Sequence, residues 1–514
     1  MRLPATKRHH LLTLNINRYG RMNATMQSNP AVRSSDLNYS CPLSESADCE
    51  SIAYKSFLIP ALISLISFVL FAVASPRALP NGDAALYLQQ ILALDISQRT
   101  THIGYYLVGI PFIHFLPFEP DYSLHLMSCL CGALCASLLF AITAFITRSR
   151  FISLLACFIL VTTNVFAHNA VFAEVYMPQL LFFLLALHLL QRNSPIAGGA
   201  SYALSFLITP SALFGLAMLF PFRRNKKQLP RFIAAFLLLT IIIVVPHLSD
   251  YVSGGRGLLK ASHAAMSADK AFVKEYREFF AGILWYLPFL LAGCIDFMKN
   301  KMTRDWGIAL FSMWLITFAA GERFGDVPVQ LPAYAFICVI AASGMKALLY
   351  ASRHKSRVLA AIVCLYCLLA LTVSGGITGK HISMTAYRLA EYRKSILALK
   401  QAARPDFLAA GEWTQGILFE HYLYGASYTG LWLNTECLAG EWGSRMREES
   451  EEKLQQALLS GREIWLLNYD TVLFSRLTER GYLIEPFQSI YRATRKDAGG
   501  SRLTALLPEK PLAV

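Results

Sequence analysis

The chain has 514 residues, of which 55% are hydrophobic and only 16% are charged, and its formal net charge is +14. Soluble domains carry about 25% charged residues, so the composition excludes an ordinary soluble protein and indicates segments that avoid water. The positive charge does not indicate a nucleic-acid partner, because the Lys and Arg residues cluster in short loops between apolar runs, where the positive-inside rule explains them.

The N-terminal segment differs from the rest of the chain. Residues 1–55 are polar, basic and rich in Ser and Asn. They lack the short apolar core of a cleavable signal peptide, so they are predicted to form a disordered cytosolic tail. Most of the cysteines lie in or beside apolar runs, and no Cys/His metal spacing occurs.

Uncharged apolar runs recur over residues 56–376 and then stop. About 20 such residues are enough to cross the hydrocarbon core as a helix. The pattern therefore predicts a polytopic α-helical membrane domain with about eleven transmembrane helices. The predicted spans are 56–76, 122–146, 151–167, 177–191, 196–209, 210–222, 231–248, 281–298, 306–320, 331–350 and 357–376. Two of them meet at Thr209-Pro210 and form either two short helices or one broken helix.

Charge orients these helices. With the N-terminus in the cytosol, the internal loops hold most of the Lys and Arg residues, for example the run over 223–231, and the short external segments hold few. The alternation continues to the last helix and places residues 377–514 outside the cytosol. We therefore predict an integral protein of a bacterial inner membrane, although the endoplasmic reticulum would satisfy the same topology.

The C-terminal segment has a different pattern. Over residues 377–514, helical stretches at 386–403 and 446–460 alternate with short apolar strands, which predicts a small extracytoplasmic α/β domain. The predicted strands are 407–410, 464–468 and 482–484. Neither G-x-G-x-x-G nor a P-loop occurs, so a structural or acceptor-binding role is favoured over a nucleotide site.

The first external segment, residues 77–121, carries an acidic residue at a turn. Asp83 follows Pro-Asn-Gly and opens an amphipathic stretch over 84–97. A helix N-cap explains an Asp in this place, and a cap can also fix a catalytic carboxylate. The string His102-Ile-Gly-Tyr105 comes next, followed by a proline-bounded apolar run that is predicted to lie along the outer surface.

Two further external segments carry ionisable groups. Glu174 stands in an apolar stretch, between His168 and Tyr176, at the junction of two predicted helices. A carboxylate there is costly unless it is paired or solvated, which favours a functional role, whereas a lone interfacial His is more often structural. Arg323 lies between Glu322 and Asp326, so it either clamps a phosphate or pairs with its neighbours. Arg256 and Lys260 are weaker candidates for phosphate contacts.

These positions, in this order, resemble the GT-C glycosyltransferases, polytopic enzymes that take sugars from polyprenyl-phosphate carriers. The relatives include the protein O-mannosyltransferases and the aminoarabinose transferase of lipid A. Three groups of residues carry the resemblance: Gly82-Asp83 with His102-x-Gly104-Tyr105, Ala173-Glu174-Val175-Tyr176, and Glu322-Arg323-Phe324 with Leu331-Pro332-Ala333-Tyr334. The His-Pro-Pro-Gly-Tyr string common in such proteins lacks its prolines here, and a single Glu replaces a paired Asp motif.

The resemblance implies a lipid-dependent sugar transfer outside the cytosol. It assigns Asp83 as general base, Glu174 as a supporting or metal-holding group, and Arg323 to the donor phosphate. Further substrate-binding candidates are His102, Tyr105, His168, Tyr176, Arg256 and Lys260. A divalent cation is left open, with Asp83 and Glu174 as its ligands if one is bound. The implied partners are a polyprenyl-phosphate sugar donor, a protein or glycolipid acceptor and the lipid bilayer.

Two alternatives belong to other classes. A transporter or flippase would place ionisable groups near the midplane and often has repeated halves with interrupted helices. Here these groups gather at the predicted outer face, and only the break at Pro210 favours transport. In an envelope assembly scaffold, the acidic residues would only cap helices, and the external domain would carry the assembly function.

Overall fold

The computed structural model describes residues 47–80, 82–94, 102–222, 227–247, 283–299, 301–319, 331–403, 407–412, 418, 421–423, 428–433, 441–460, 462–466, 471–488 and 490–495. The chain divides into two compact units, Met1–Phe57 and Leu58–Val514. Of the predicted tail over 1–55, residues 1–46 lie outside the described residues and the last nine are helical. The second unit contains the sheet, the candidate site and the contacts discussed below.

Helices make up the described chain up to residue 402 almost entirely. The α-helices are α1 (Ala47–Ala74), α2 (Gly82–Ala93), α3 (Ile103–Phe115), α4 (Pro120–Thr147), α5 (Arg150–Thr162), α6 (Asn164–Val171), α7 (Tyr176–Gln191), α8 (Pro195–Ile208), α9 (Gln228–Val244), α10 (Leu287–Lys299), α11 (Lys301–Ala319), α12 (Leu331–Lys355) and α13 (Arg357–Ala402). 3-10 helices cover Pro210–Phe222, Val245–His247 and Leu284–Tyr286.

Every predicted span overlaps a helix, because the charge-free apolar runs consist mainly of residues that also favour helices. Among the described residues, three helices are long and apolar enough to cross a membrane, α4, α12 and α13, and the bent pair α5 and α6 would add a fourth. Several shorter apolar helices have 10–17 residues. The mostly helical architecture is thus established, and the number of about eleven spans stays a prediction.

The span predicted over 151–167 is not one straight helix. Helix α5 ends at Thr162, α6 begins at Asn164, and the two are bent by 69°. The Thr162 carbonyl accepts hydrogen bonds from Ser374 Oγ at 2.9 Å and from Thr378 Oγ1 at 2.8 Å, both on α13. These bonds supply partners at a helix end inside an apolar region, where an unpaired carbonyl would be costly. The sequence does not reveal the break, because its partners lie more than 200 residues away.

Helix α13 is longer than predicted. It has 46 residues, so at 1.5 Å per residue it is about 69 Å long, roughly twice the thickness of a hydrocarbon core. The predicted domain boundary between residues 376 and 377 falls near its middle. Hydropathy ends the span where polar residues begin, but those residues, such as Lys380 and Arg388, are also compatible with a helix.

The C-terminal part contains a mixed five-stranded sheet. Its strands are β1 (Phe407–Glu412), β2 (Tyr428–Leu433), β3 (Ile464–Leu466), β4 (Tyr482–Phe487) and β5 (Ile490–Arg495), with α14 (Glu441–Ser460) and α15 (Thr471–Glu479) between them. The order is β2-β1-β3-β5-β4. Strand β1 pairs in parallel with β2 and β3, and β5 pairs antiparallel with β3 and β4. The three predicted strands are present as β1, β3 and β4, whereas β2 and β5 were not predicted.

Both faces of this sheet are covered. Along β1, Phe407 and Ala409 belong to the main hydrophobic core, which also contains Ile396 of α13. Leu408 and Ala410, on the opposite face, belong to a smaller core formed with helices α14 and α15. The sheet is therefore packed onto the helical part through one face, as the period of two along a strand allows.

Helices α10 and α12 approach each other closely through glycines. A Cβ atom at Gly344 would lie 1.8 Å from the carbonyl oxygen of Phe289, and one at Gly293 would lie 2.0 Å from that of Ile340. Backbone atoms cannot move aside as the end of a side chain can, so small residues are required at this helix contact.

We expect Gly344→Ala to lower the thermal stability of the detergent-purified protein. The added methyl group must push α10 away from α12, which costs about 1–3 kcal/mol for a typical overpacked site. Gly379→Ala is the matched control, since nothing lies within 4 Å of its Cβ position. Equal melting temperatures for the two variants would contradict this account of the contact.

Candidate functional site

Helices α2 and α3 pack through an aromatic cluster that contains two of the predicted site residues. The Tyr87 ring lies 5.5 Å from that of His102 and 5.0 Å from that of Tyr105. Asp83 is exposed in the first turn of α2, inside the helix rather than before it, four residues before Tyr87. Residues at this spacing share a helix face, so the structure brings Asp83, His102 and Tyr105 to one region.

Glu174 reaches the same region from the link between α6 and α7, where it is half-buried. Burial raises the pKa of the Tyr105 phenol well above its usual value, and the charge of Glu174 raises it further. The hydroxyl therefore keeps its proton and is a hydrogen-bond donor. It is buried and has no hydrogen-bond partner among the described residues. The structure thus places a protonated phenol within the field of Glu174.

The string His102-Ile-Gly104-Tyr105 has a structural reason as well. His102 Nδ1 lies 2.6 Å from the carbonyl oxygen of Ile208, the last residue of α8. A Cβ atom at Gly104 would lie 2.7 Å from the backbone nitrogen of Ile208. Gly104 therefore permits the close approach of α3 to the end of α8, and His102 contacts the carbonyl oxygen at that end.

The other predicted residues are not all brought to this region. The His168 ring contacts those of Phe172, at 4.5 Å, and His381, at 5.5 Å, and its buried Nδ1 has no hydrogen-bond partner among the described residues. Tyr176 is half-buried at the start of α7. Arg256, Lys260 and Arg323 lie outside the described residues, as do Glu322 and Asp326, so their predicted roles stay predictions.

Sequence reasoning missed His125, which is fully buried in α4. Its Nε2 lies 3.0 Å from the carbonyl oxygen of Ala78, and its Nδ1 lies 3.1 Å from that of Val171. Ala78 precedes Asp83 by five residues, and Val171 precedes Glu174 by three. One side chain thus contacts the backbone of both acidic segments.

A second missed group joins the C-terminal part to the first external segment. His421 Nε2 lies 3.0 Å from Asp121 Oδ1, and the Tyr422 hydroxyl accepts a hydrogen bond of 2.9 Å from the Leu79 amide. Arg393 of α13 pairs with Glu119 at 3.4 Å. Burial, followed by the charge of Asp121, raises the pKa of the Tyr422 phenol, which therefore stays neutral. The segment before Asp83 is therefore contacted by Tyr422 at Leu79 and by His125 at Ala78.

A signal for the missed residues was present in the sequence. Asp121 and His125 stand four residues apart at the start of an apolar run, so they share a helix face. Ionisable groups within such a run are costly and usually have a role. What the run does not reveal is their partners, which lie 46, 47 and 300 residues away along the chain.

The described residues do not fit a protein-built metal site. They contain no group of three or more His, Cys, Asp or Glu side chains that could hold an ion. A divalent cation such as Mg²⁺ takes about six oxygen ligands, of which Asp83 and Glu174 could supply only a part. A bound divalent cation stays a prediction, with Asp83 and Glu174 as its ligands if one is bound.

Most of this chain is similar in structure to solved membrane glycosyltransferases. Residues covering 88% of this chain match 100% of apo ArnT from Cupriavidus metallidurans, an aminoarabinose transferase, with a TM-score of 0.56 and 11% identity. ArnT bound to undecaprenyl phosphate matches 86% of this chain over 99% of its own length, with a TM-score of 0.53 and 11% identity.

An oligosaccharyltransferase has the same architecture. The apo enzyme from Archaeoglobus fulgidus matches 82% of this chain over 70% of its own length, with a TM-score of 0.52 and 11% identity. The chain has the GT-C fold. The fold expected from the resemblance is confirmed, at a sequence identity too low to show more than the fold. No protein-family model matches the sequence, and no curated protein matches it either.

The two adjacent tyrosines of α3 offer a matched pair of variants. We expect Tyr106→Phe to destabilise the protein by about 1–3 kcal/mol, because it leaves the buried Gln90 Oε1 without the hydrogen bond that the Tyr106 hydroxyl donates. Tyr105→Phe should leave the stability unchanged or raise it, since the lost hydroxyl has no partner among the described residues. Thermal unfolding in detergent checks both, and a large loss for Tyr105→Phe would show that its hydroxyl is bonded in the folded protein.

Proposed function

We propose that this chain is a membrane glycosyltransferase that moves a sugar from a polyprenyl-phosphate donor to an acceptor hydroxyl on the extracytoplasmic side. The observation that carries the proposal is the GT-C fold, which extends over nearly the whole chain. ArnT and the archaeal oligosaccharyltransferase, which share it, are glycosyltransferases. ArnT has been seen with undecaprenyl phosphate bound, which supports a lipid-phosphate donor here.

The residues described supply the parts of such a reaction. Asp83 is exposed, so its carboxylate lies where an acceptor in water can reach it. In the proposed step it takes the proton of the acceptor hydroxyl while the oxygen bonds to the anomeric carbon of the sugar. The bond between that carbon and the phosphate oxygen breaks, and the polyprenyl phosphate leaves with the electron pair. No co-reactant is required.

Glu174 and Tyr105 support this step in our proposal. The Tyr105 hydroxyl is held protonated, so it can donate a hydrogen bond to a sugar or phosphate oxygen. Glu174, half-buried beside it, can accept hydrogen bonds from sugar hydroxyls. His102, His168 and Tyr176 remain substrate-binding candidates.

Charge at the leaving phosphate needs basic partners. We assign Arg323 to this phosphate, with Arg256 and Lys260 as further contacts, because cationic donors aimed at developing negative charge stabilise the transition state. In the proposed topology the N-terminus is cytosolic, and these residues lie outside together with Asp83 and the sheet. A bacterial inner membrane is the proposed location, and a protein or a glycolipid is the proposed acceptor.

We expect Asp83→Asn to lower kcat for sugar transfer by about 10²–10⁴-fold, the usual contribution of a general base, with the folded yield unchanged. Purified protein in liposomes is given undecaprenyl-phosphate donors that carry aminoarabinose, mannose or glucose, together with a protein or glycolipid acceptor that offers free hydroxyls, and the release of undecaprenyl phosphate is measured. Glu448→Gln, at an exposed carboxylate of α14, is the control. Full activity of Asp83→Asn would remove Asp83 from the mechanism.

Glu174→Gln tests the supporting role separately. We expect Glu174→Gln to lower kcat/KM less than Asp83→Asn does, because the amide loses the charge but keeps one hydrogen-bond acceptor. The same release assay measures it. A loss as large as that of Asp83→Asn would instead make Glu174 the base, whereas wild-type kinetics would exclude it from the site.

A lipid flippase is the second candidate, favoured by the 69° break between α5 and α6, since interrupted helices are common in transporters. A flippase moves the sugar-linked lipid across the bilayer without breaking the bond between sugar and phosphate. The same liposomes separate the two functions, because transfer releases undecaprenyl phosphate and flipping only changes the accessibility of the intact donor.

A further inference from the structure

We propose that His125 is a positioning residue that fixes the segments of Asp83 and Glu174 relative to each other. This inference rests on the proposed function, because it concerns the same carboxylates. His125 lies in the first part of α4, is fully buried, and contacts the carbonyl oxygens of Ala78 and Val171 through its two ring nitrogens. Those carbonyls belong to different segments, more than 90 residues apart in the sequence.

The chemistry of the imidazole ring suits this task. Its two nitrogens point in different directions, and both face carbonyl oxygens, which only accept hydrogen bonds. A neutral ring donates from one nitrogen, so it forms a hydrogen bond with one of the two carbonyls and packs against the other.

Other bonds hold the same two segments at the same place. Ser75 Oγ donates to the Val171 carbonyl at 3.1 Å, which is a second link between the segments. The Leu79 amide donates to the Tyr422 hydroxyl. His125 is nevertheless central, because its ring contacts both segments at once from a helix that belongs to neither.

A defined distance between the two acidic segments matters for catalysis. A catalytic group has to be held within about 0.5 Å of its productive position, and a misplacement of about 1 Å costs on the order of 100-fold in rate. The backbone continues from Ala78 to Asp83 and from Val171 to Glu174. The charge of Glu174 acts on the Tyr105 phenol. A loosened His125 contact therefore changes the rate more than it changes the binding of the donor.

The test compares side chains with and without donors at this position. His125→Phe keeps a ring but has no N–H group, and His125→Met is a second variant without a donor. We expect both to lower kcat for the release of undecaprenyl phosphate by about 100-fold, with less than a threefold change in KM. The amide of His125→Gln donates two hydrogen bonds, so we expect its kcat to be about tenfold higher than that of His125→Phe. His188→Phe on α7 is the control and should behave as the wild type.

Hydrogen–deuterium exchange gives a readout that does not need activity. Peptides that cover residues 75–80 and 171–175 should exchange faster in His125→Phe and in His125→Met than in the wild type, and those of His188→Phe should not. If the wild type transfers no sugar but this pattern appears, the proposed function fails and the link made by His125 stands.

Three results would overturn the role of His125. The first is wild-type kcat in a folded variant without a donor at this position. The second is unchanged exchange in both segments. The third is the failure of both His125→Phe and His125→Met to fold, which would make the residue structural only. In each case the sugar transfer of the wild type is measured separately, so the proposed function can stand while this inference fails.

Discussion

A polar group that is enclosed by apolar helices has to find its partners within the protein, and most of this structure depends on that constraint. At several helix ends and crossing segments of the described chain, a distant side chain supplies the hydrogen bond. Ser374 and Thr378 bond the carbonyl at the break after Thr162, and His102 bonds the carbonyl that ends α8. His125 contacts both segments that lead to the acidic residues.

The long helix α13 connects the helical part to the sheet. Its first half contributes the hydroxyls that bond the break between α5 and α6, and its last turns enter the core beneath one face of the sheet. Because the opposite face is covered by α14 and α15, the sheet is fixed by apolar packing on both sides. Tyr422 bonds the segment before Asp83 and His421 contacts Asp121 at the start of α4, so the C-terminal part also supports the candidate site.

The candidate site combines an exposed carboxylate with a buried phenol. Asp83 is exposed and can meet a water-borne acceptor, whereas Tyr105 is buried and keeps its proton beside Glu174. A glycosyl transfer from a lipid needs both environments, since the acceptor comes from water and the donor from the bilayer. The contacts of His125 connect the two segments that carry Asp83 and Glu174.

The sequence by itself determined the membrane class, the approximate bounds of the helices and the GT-C resemblance, and it singled out Asp83 and Glu174 as candidates. These follow from local composition, because an apolar run or a carboxylate within it can be recognised from its neighbours alone. Only the tertiary structure decided the break after Thr162, the extension of α13, the strands β2 and β5, and the contacts of His125, Asp121 and His421. Each of these depends on partners far away in the chain, and a sequence pattern does not state which distant residues will meet.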